Sequence, residues 1–131
     1  LGFRTDIFEV LKASDIFVMP SHREGLSVAM MEAMACGLPV VASNIRGNCD
    51  LVDEKGGYLF NIHHLDELVE YIEKLADNPK LRKTMGQYNE EKVKEYDKEI
   101  VLEKLKYVLN ECEKKHYEHQ LKKEGTVVVE V

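Results

Sequence analysis

One stretch of the chain, residues 15–60, constrains the possible folds more than any other. It contains three short apolar runs, DIFVMP, LPVVAS and GYLF, separated by one helix-forming segment and two polar segments. Apolar runs without polar alternation are typical of parallel strands that are buried on both faces. The segment between the first two runs, LSVAMMEAMAC, consists of good helix formers and is followed by Gly37 and Pro39, which commonly end helices. This order predicts a βαβ unit.

The whole pattern predicts the α/β class, with a partial, Rossmann-like parallel sheet of about three to four strands flanked by helices. Helical spacing of apolar residues predicts helices over residues 5–14 and 64–77, another from Asn78-Pro79 that Gly86 could interrupt, and C-terminal helices over 90–119. The polar segment between the second and third strands is predicted to be a loop. Ligands of such sheets bind outside the carboxyl ends of the strands.

Composition and charge exclude several classes of function. The formal net charge of -6 argues against a general nucleic-acid surface. Three cysteines at unrelated spacings do not form a disulfide framework and fit a reducing compartment. No apolar run approaches the length that spans a bilayer. We therefore expect a cytoplasmic protein, with the inner face of the membrane as the alternative location.

Two glutamates flank the beginning of the predicted helix after the loop SHREG. Glu24 and Glu32 are separated by seven residues, and eight helical steps would place them roughly 12 Å apart along the axis. The first turn would present free N–H groups at Gly25, Leu26 and Ser27, which attract phosphate together with the helix dipole. Carboxylates accept hydrogen bonds from vicinal hydroxyls. The arrangement predicts hydroxyl groups at each end of a ligand and a diphosphate between them.

A purely structural role for these glutamates has weight. Glutamate is favourable in a first turn for dipole reasons and has good helix propensity. The spacing alone would therefore be coincidental more often than functional. The context favours a site, because Glu32 lies in an otherwise apolar helix where an unpaired carboxylate is costly to bury.

The run P-S-x-x-E-G-L-x-x-x-x-x-E-A-M-A-C-G-x-P-V-V-A-S resembles the Glu-x7-Glu signature of the retaining glycosyltransferases of group 1 (family 4). The resemblance covers about residues 1–107. It includes the opening segment LGFRTDIFEVLKASD, the run GGYLF, and a P-x-L-R-x-x-M segment that begins at Pro79. It implies the GT-B fold, in which two Rossmann-like domains face each other across a cleft.

The resemblance implies roles for single residues. Glu24 matches the glutamate that contacts the donor sugar and is the catalytic candidate, and Glu32 matches the glutamate that holds the ribose hydroxyls. Gly25 and Leu26 match positions whose amides approach the donor, and Ser27 follows them. The family's Gly-Gly-x-x-Glu segment corresponds here to Arg46-Gly47-Asn48-Cys49-Asp50, in which arginine replaces the first glycine and aspartate the glutamate. Further candidates for contact with phosphate or sugar are His22, Arg23 and Arg46.

The resemblance also implies a reaction. A sugar would be transferred with retention from a nucleotide-diphosphate sugar to a saccharide or lipid-linked acceptor, as in the synthesis of bacterial surface polysaccharides. No metal and no cofactor besides the donor substrate is expected. Peripheral association with a membrane is a further expectation, and binding of nucleic acid is not expected.

The resemblance predicts that residues 1–112 form the C-terminal part of a donor-binding domain and that 113–131 form a helical or disordered tail. Enzymes of this family have an N-terminal acceptor domain, and a basic Arg/Lys pair against the diphosphate, that this sequence does not contain. The 131 residues alone are expected to be inactive. The alternative to a glycosyltransferase fragment is a non-catalytic donor-binding half, a subunit of a split enzyme that receives the other domain in trans, or a remnant.

Overall fold

The computed structural model describes residues 5–97 and residue 99. The chain divides into two compact units, Leu1–Lys94 and Glu95–Val131. In the described part of the second unit, the amide of Glu99 donates to Oδ1 of Asp97 at 2.8 Å. The predicted domain boundary at residue 112, the tail over 113–131 and most of the helix predicted over 90–119 fall outside the described residues.

Short helices alternate with parallel strands in the first unit. In chain order they are α1 (Ile7–Lys12), β1 (Phe17–Met19), α2 (Val28–Ala35), β2 (Val40–Ser43), α3 (Arg46–Leu51), β3 (Gly57–Phe60), α4 (Leu65–Ala76) and α5 (Pro79–Val93), followed by a 3₁₀ turn (Lys94–Tyr96). The strands form a parallel sheet in the order β1-β2-β3. Phe17 pairs with Val40, and Val40 pairs with Gly57. The predicted α/β class, with a parallel sheet flanked by helices, is confirmed.

Burial differs sharply between the strands. All four residues of β2 are buried, as the apolar run predicts for a strand between two neighbours. The expectation of burial on both faces is wrong for β1, where Val18 is 37% exposed and Phe17 and Met19 are half-buried. In the described part of the chain β1 pairs with a single strand, β2.

Among the described residues, two apolar clusters stabilise the unit. Val41 and Phe60 of the sheet pack with Leu75 of α4 and Met85 of α5. The other cluster joins the helices α1 and α2 to the segment that precedes β2 and contains Leu11, Ala33 and Leu38. The apolar residues of the sheet are therefore buried against helices, as is usual for a doubly wound unit.

The end of α2 confirms the predicted glycine stop. Gly37 has φ of 73°, a left-handed conformation that glycine adopts without steric cost. Its amide donates to the carbonyl of Met34 at 3.0 Å, and the amide of Leu38 donates to the carbonyl of Ala33 at 3.2 Å. These two bonds define a Schellman motif, which satisfies carbonyls that the helix leaves free.

The start of α5 is as predicted, whereas α5 continues through Gly86 and the segment after β2 is helical. Asn78 caps α5 by accepting from the amide of Leu81 at 3.0 Å, with Pro79 as the first helical residue, as predicted. Gly86 does not interrupt α5; a methyl group there would overlap the carbonyl oxygen of Gly37, so glycine permits the close approach of the two segments. The segment after β2, predicted as a loop, forms α3. Its helical residues include Arg46, contrary to the sequence-based expectation.

Candidate functional site

The predicted site lies where β1 and β2 end. β1 ends at Met19, and residues 21–25, which we call the Glu24 loop, connect it towards α2. Within this loop the side chains of His22, Arg23 and Glu24 are exposed, whereas Ser21 is half-buried. The loop therefore presents one carboxylate, one guanidinium and one imidazole to solvent at the carboxyl edge of the sheet, where ligands of such sheets bind.

The helix after the loop begins later than the sequence predicts. Ser27 is its N-cap, and the Ser27 hydroxyl accepts from the amide of Met30 at 3.3 Å. Gly25 and Leu26 therefore precede the helix, and the expectation that they and Ser27 form its first turn is wrong. The first-turn amides without an intrahelical acceptor are those of Val28 and Ala29. The cap explains why α2 starts at Val28. The Ser27 hydroxyl accepts from the third amide of the helix, as an N-cap side chain does, so Ser27 is the residue before the first helical one.

Glu32 lies in the middle of α2 and is half-buried. It occupies the same helix face as Val28, four residues earlier, whose side chain is 63% exposed. The buried residues of α2 lie on another face and are Met30, Ala33 and Met34. The helix is thus not apolar on all sides, and Glu32 does not carry the full cost of burial that the sequence suggested.

The revised boundary changes the estimated geometry of the two glutamates. Only the steps from Val28 to Glu32 are helical and account for about 6 Å of axial rise. The remaining separation depends on the conformation of the Glu24 loop. Whether Glu24 and Glu32 contact opposite ends of one ligand remains a prediction, and so do the contacts assigned to Gly25, Leu26 and Ser27.

Helix α3 packs directly against the backbone of the Glu24 loop. A methyl group at Gly47 would overlap the carbonyl oxygens of Glu24 and Gly25, so the backbones of the loop and of α3 are in direct contact there. Gly47 is buried, and only glycine lets two backbones approach so closely. Arg46, the preceding residue, is exposed at the start of α3. The structure thus brings the Glu24 loop into contact with α3, a segment to which the sequence assigned no function.

Two polar side chains connect α3 to the base of the same loop. The hydroxyl of Ser43, at the end of β2, donates to the carbonyl of Ser21 at 2.5 Å. Nδ2 of Asn48 donates to the carbonyl of Ser43 at 2.9 Å and to its hydroxyl oxygen at 3.2 Å. Both Ser43 and Asn48 are fully buried. Residues of three segments are therefore joined at the point where the Glu24 loop leaves the sheet.

Sequence reasoning missed Ser43, Gly47 and Asn48 as supports of the site. A signal for Gly47 was available, since it matches the second glycine of the family's Gly-Gly-x-x-Glu segment. The sequence indicates the burial of Asn48 only weakly, through the apolar pair Leu51-Val52 that follows it closely. Nothing in the sequence indicates that Ser43 contacts a residue 22 positions earlier.

A groove of about 570 Å³ lies elsewhere, along β3 and α4. Tyr58 and Tyr71 stack there with ring centroids 4.6 Å apart, and Nζ of Lys74 lies 4.8 Å from the ring centroid of Tyr58. None of the predicted site residues lines this groove. Its lining residues are Asp53, Glu54, Gly57, Tyr58, Leu59, Tyr71 and Lys74.

The cysteines near the site differ in their surroundings. Burial raises the pKa of the Cys36 thiol, and the carboxylates of Glu32 and Glu90 add to this effect while Lys12 opposes it. The exposed Cys49 donates from its thiol to Oδ1 of Asn44 at 3.0 Å. A neutral, partly buried Cys36 is a poor nucleophile, because the thiolate is the reactive form.

The described part of the chain contains neither a metal-binding cluster nor a helix that could span a membrane. Residues 5–97 and 99 contain no group of three or more His, Cys, Asp or Glu side chains that could hold a metal ion. In the same part of the chain, no helix has the length and apolar character needed to cross a bilayer.

Several known glycosyltransferases have similar sequences. One relative is the UDP-Gal:α-D-GlcNAc-diphosphoundecaprenol α-1,3-galactosyltransferase of Escherichia coli. It is 42% identical over 79 residues, which are 60% of this chain and 20% of that enzyme. The capsular polysaccharide biosynthesis glycosyltransferase CapM of Staphylococcus aureus is 32% identical and aligns with 73% of this chain and 26% of its own length. The chain thus spans about a fifth to a quarter of the length of these relatives.

Two solved structures contain a region with a similar fold. TarM superposes with a TM-score of 0.75 at 32% identity, covering 84% of this chain and 23% of TarM. Sucrose-phosphate synthase of Thermosynechococcus elongatus gives a TM-score of 0.71 at 26% identity, covering 79% and 26% of the two chains. Residues 1–92 match the family described as glycosyl transferases group 1. The predicted resemblance is therefore confirmed, and the chain belongs to the group 1 glycosyl transferases of GT-B fold.

Proposed function

We propose that this chain is the part of a glycosyltransferase that binds a nucleotide-diphosphate sugar, and that the complete enzyme transfers the sugar with retention. The observation that carries the proposal is the Glu24 loop, which is seated by its backbone on Gly47 and followed by a capped helix bearing Glu32. An exposed carboxylate, free first-turn amides and a second carboxylate follow one another along the chain. This order suits a ligand with hydroxyls, then phosphates, then hydroxyls.

Each part of this arrangement would act on a different part of the donor. Glu24 would contact the sugar, and the amides of Val28 and Ala29 at the positive end of α2 would stabilise charge on the diphosphate as it departs. Glu32 would accept hydrogen bonds from the ribose hydroxyls. Arg23 and Arg46, both exposed at this edge, would supply further positive charge.

The names of the relatives support a role in assembling surface polysaccharides. One acts on a lipid-linked diphosphate sugar, and another belongs to capsular polysaccharide biosynthesis. We propose the same class of acceptor, a saccharide or lipid-linked saccharide, for the enzyme to which this chain contributes. The reaction would take place in the cytoplasm or at the inner face of the membrane. No metal is proposed for it.

The second candidate is a donor-binding half that transfers no sugar by itself. In this candidate another domain would supply the acceptor site, in cis or in trans. Detectable transfer of sugar by the purified chain alone would exclude this candidate. Binding of a donor without transfer would support it.

The proposal is tested by titrating the chain with UDP, GDP and ADP and with their sugars, by calorimetry or by NMR. We expect saturable binding of one nucleotide class. Glu32→Ala should weaken it about 10- to 100-fold, because hydrogen bonds to a charged group are worth about 1.5–3 kcal/mol. The matched control is Glu73→Ala, which removes an exposed carboxylate on α4.

Three outcomes are informative. Weaker binding in Glu32→Ala but not in Glu73→Ala supports the proposed site. Equal weakening in both variants would indicate a general charge effect and contradict it. Absence of binding to all three nucleotides and their sugars, at millimolar concentrations, would overturn the proposal for this chain.

A further inference from the structure

The base of the Glu24 loop is hydrogen-bonded to the buried hydroxyl of Ser43, whose proton has a defined direction. The Ser43 oxygen accepts from Nδ2 of Asn48 at 3.2 Å, so this side of the hydroxyl is occupied by a donor. Its single proton therefore points elsewhere. The carbonyl of Ser21 lies 2.5 Å away, whereas that of Met19 lies at 3.5 Å, so the proton goes to Ser21.

The amide of Asn48 is itself fixed by its surroundings. Nδ2 also donates to the Ser43 carbonyl at 2.9 Å, which prevents the amide from presenting its oxygen to Ser43. Oδ1 of Asn48 is buried and has no hydrogen-bond partner among the described residues. Leaving a buried acceptor unpaired destabilises a protein, so stability alone does not explain an asparagine at this position.

An apolar residue at position 48 would leave no other group of this cluster unpaired. The Ser43 carbonyl also accepts from the amide of Ile45 at 2.9 Å, and the Ser43 hydroxyl could still donate to Ser21. What would be lost is the constraint that directs the Ser43 proton to the base of the loop. The polar pair thus serves the loop rather than the core.

We propose that Ser43 and Asn48 are positioning residues that hold the Glu24 loop, with Gly47 as its backbone support. Ser43 fixes the carbonyl of Ser21 at the beginning of the loop, and Gly47 contacts the carbonyls of Glu24 and Gly25 at its end. The loop is held at both ends by the same short helix and the strand before it. That the loop binds a nucleotide-sugar donor rests on the function proposed above. That Ser43, Asn48 and Gly47 position the loop does not depend on that function.

The test compares loop motion in the ligand-free chain with nucleotide affinity. Backbone ¹⁵N order parameters of residues 22–25 are measured in the unaltered chain, in Ser43→Ala and in Asn48→Leu. In Ser43→Ala we expect them to fall from about 0.85 to below about 0.6, the range of flexible backbone. The matched control is Ser14→Ala, which removes a serine hydroxyl that donates to the Val10 carbonyl at 2.8 Å on α1.

Asn48→Leu separates positioning from a structural role. Because it removes an unpaired buried acceptor, we expect its melting temperature to stay within about 3 °C of the unaltered chain. The order parameters of residues 22–25 should nevertheless fall, and nucleotide affinity should weaken about fivefold, the worth of one hydrogen bond. This variant also keeps the proposal testable if Ser43→Ala does not fold.

The outcomes distinguish the two proposals. Unchanged order parameters in Asn48→Leu, or equal changes in Ser14→Ala, would overturn the positioning role. A loosened loop in a chain that binds no nucleotide would support the positioning role and overturn the proposed function. A loosened loop with weaker binding supports both.

Discussion

At the scale of single residues, buried amides do more to hold this unit together than the sequence suggests. Asn89 of α5 is 1% exposed, and its Nδ2 donates to the carbonyls of Leu38 and Gly56, both at 2.8 Å. It thereby connects α5 to the segments before β2 and before β3. Of these two acceptors, the Gly56 carbonyl also accepts from the amide of Val40 at 3.2 Å, so the Leu38 carbonyl depends more on Asn89.

Replacing Asn89 by leucine should therefore lower the free energy of unfolding. We expect a loss of about 1–3 kcal/mol, because the Leu38 carbonyl would lose its donor, whereas Gly56 keeps the amide of Val40 at 3.2 Å. Gln87→Leu, at an exposed amide on the same helix, should change stability by less than about 0.5 kcal/mol. Chemical denaturation measures both, and equal midpoints for the two variants would refute this role of Asn89.

At the scale of elements, an ionised aspartate joins the turn before β3 to α5. Oδ2 of Asp53 accepts from the Tyr88 hydroxyl and from Nζ of Lys92, each at 2.7 Å. Burial opposes ionisation of Asp53, but the hydrogen bonds from Lys92, Tyr88 and the Lys55 amide outweigh it and lower its pKa from 3.8 to about 2. The folded state therefore binds this proton more weakly than the unfolded state does.

The lowered pKa of Asp53 predicts a pH dependence. Its contribution to stability is fully present above pH 4 and is lost as the pH falls from about 4 to about 2. The side chain is 41% exposed, so screening limits the effect of Asp53→Asn at pH 7 to about 1 kcal/mol. Urea denaturation from pH 7 to pH 2 should show that the free energies of unfolding of Asp53→Asn and of the unaltered chain converge at low pH. A difference in stability that stays constant with pH would contradict the role of Asp53. The control is Glu54→Gln, at the exposed neighbouring residue.

At the scale of the whole molecule, the part of the sheet that the structure describes has no further strand beside β1. Among the described residues β1 pairs only with β2, and its Val18 is 37% exposed. Nearby in sequence, Ile7 and Phe8 of α1 are 39% and 49% exposed. A strand edge with exposed apolar side chains is a template for pairing with another chain.

We accordingly expect the isolated chain to self-associate through β1. Sedimentation over a range of concentrations should give a mass that rises above that of the monomer, and Val18→Lys should reduce the rise, because an edge lysine opposes pairing. Val69→Lys, at a residue of α4 that is 53% exposed, is the matched control. A monomeric mass together with a sharp, concentration-independent melting transition at high temperature would disprove this.

The sequence predicted the elements better than their burial. The glycine stop at Gly37 and the Asn78 cap are confirmed because both depend on local backbone chemistry. The apolar run of β1 predicted burial on both faces, but Val18 is exposed, because such a run does not indicate what covers the strand. Helix α3 was predicted as a loop because its segment is polar. Tertiary contacts override the low helix propensity of Gly47, Asn48 and Asp50.

By itself the sequence determined the order and type of most elements and the family, because periodicity, capping and motif residues act over a few positions. It also named the two glutamates whose roles await the titration. Only the tertiary structure decided how the Glu24 loop is held. That support comes from the Ser43 hydroxyl on a carbonyl 22 residues earlier and from backbone contact at Gly47. Such contacts exist only once parallel strands bring their carboxyl ends together, and no local pattern records them.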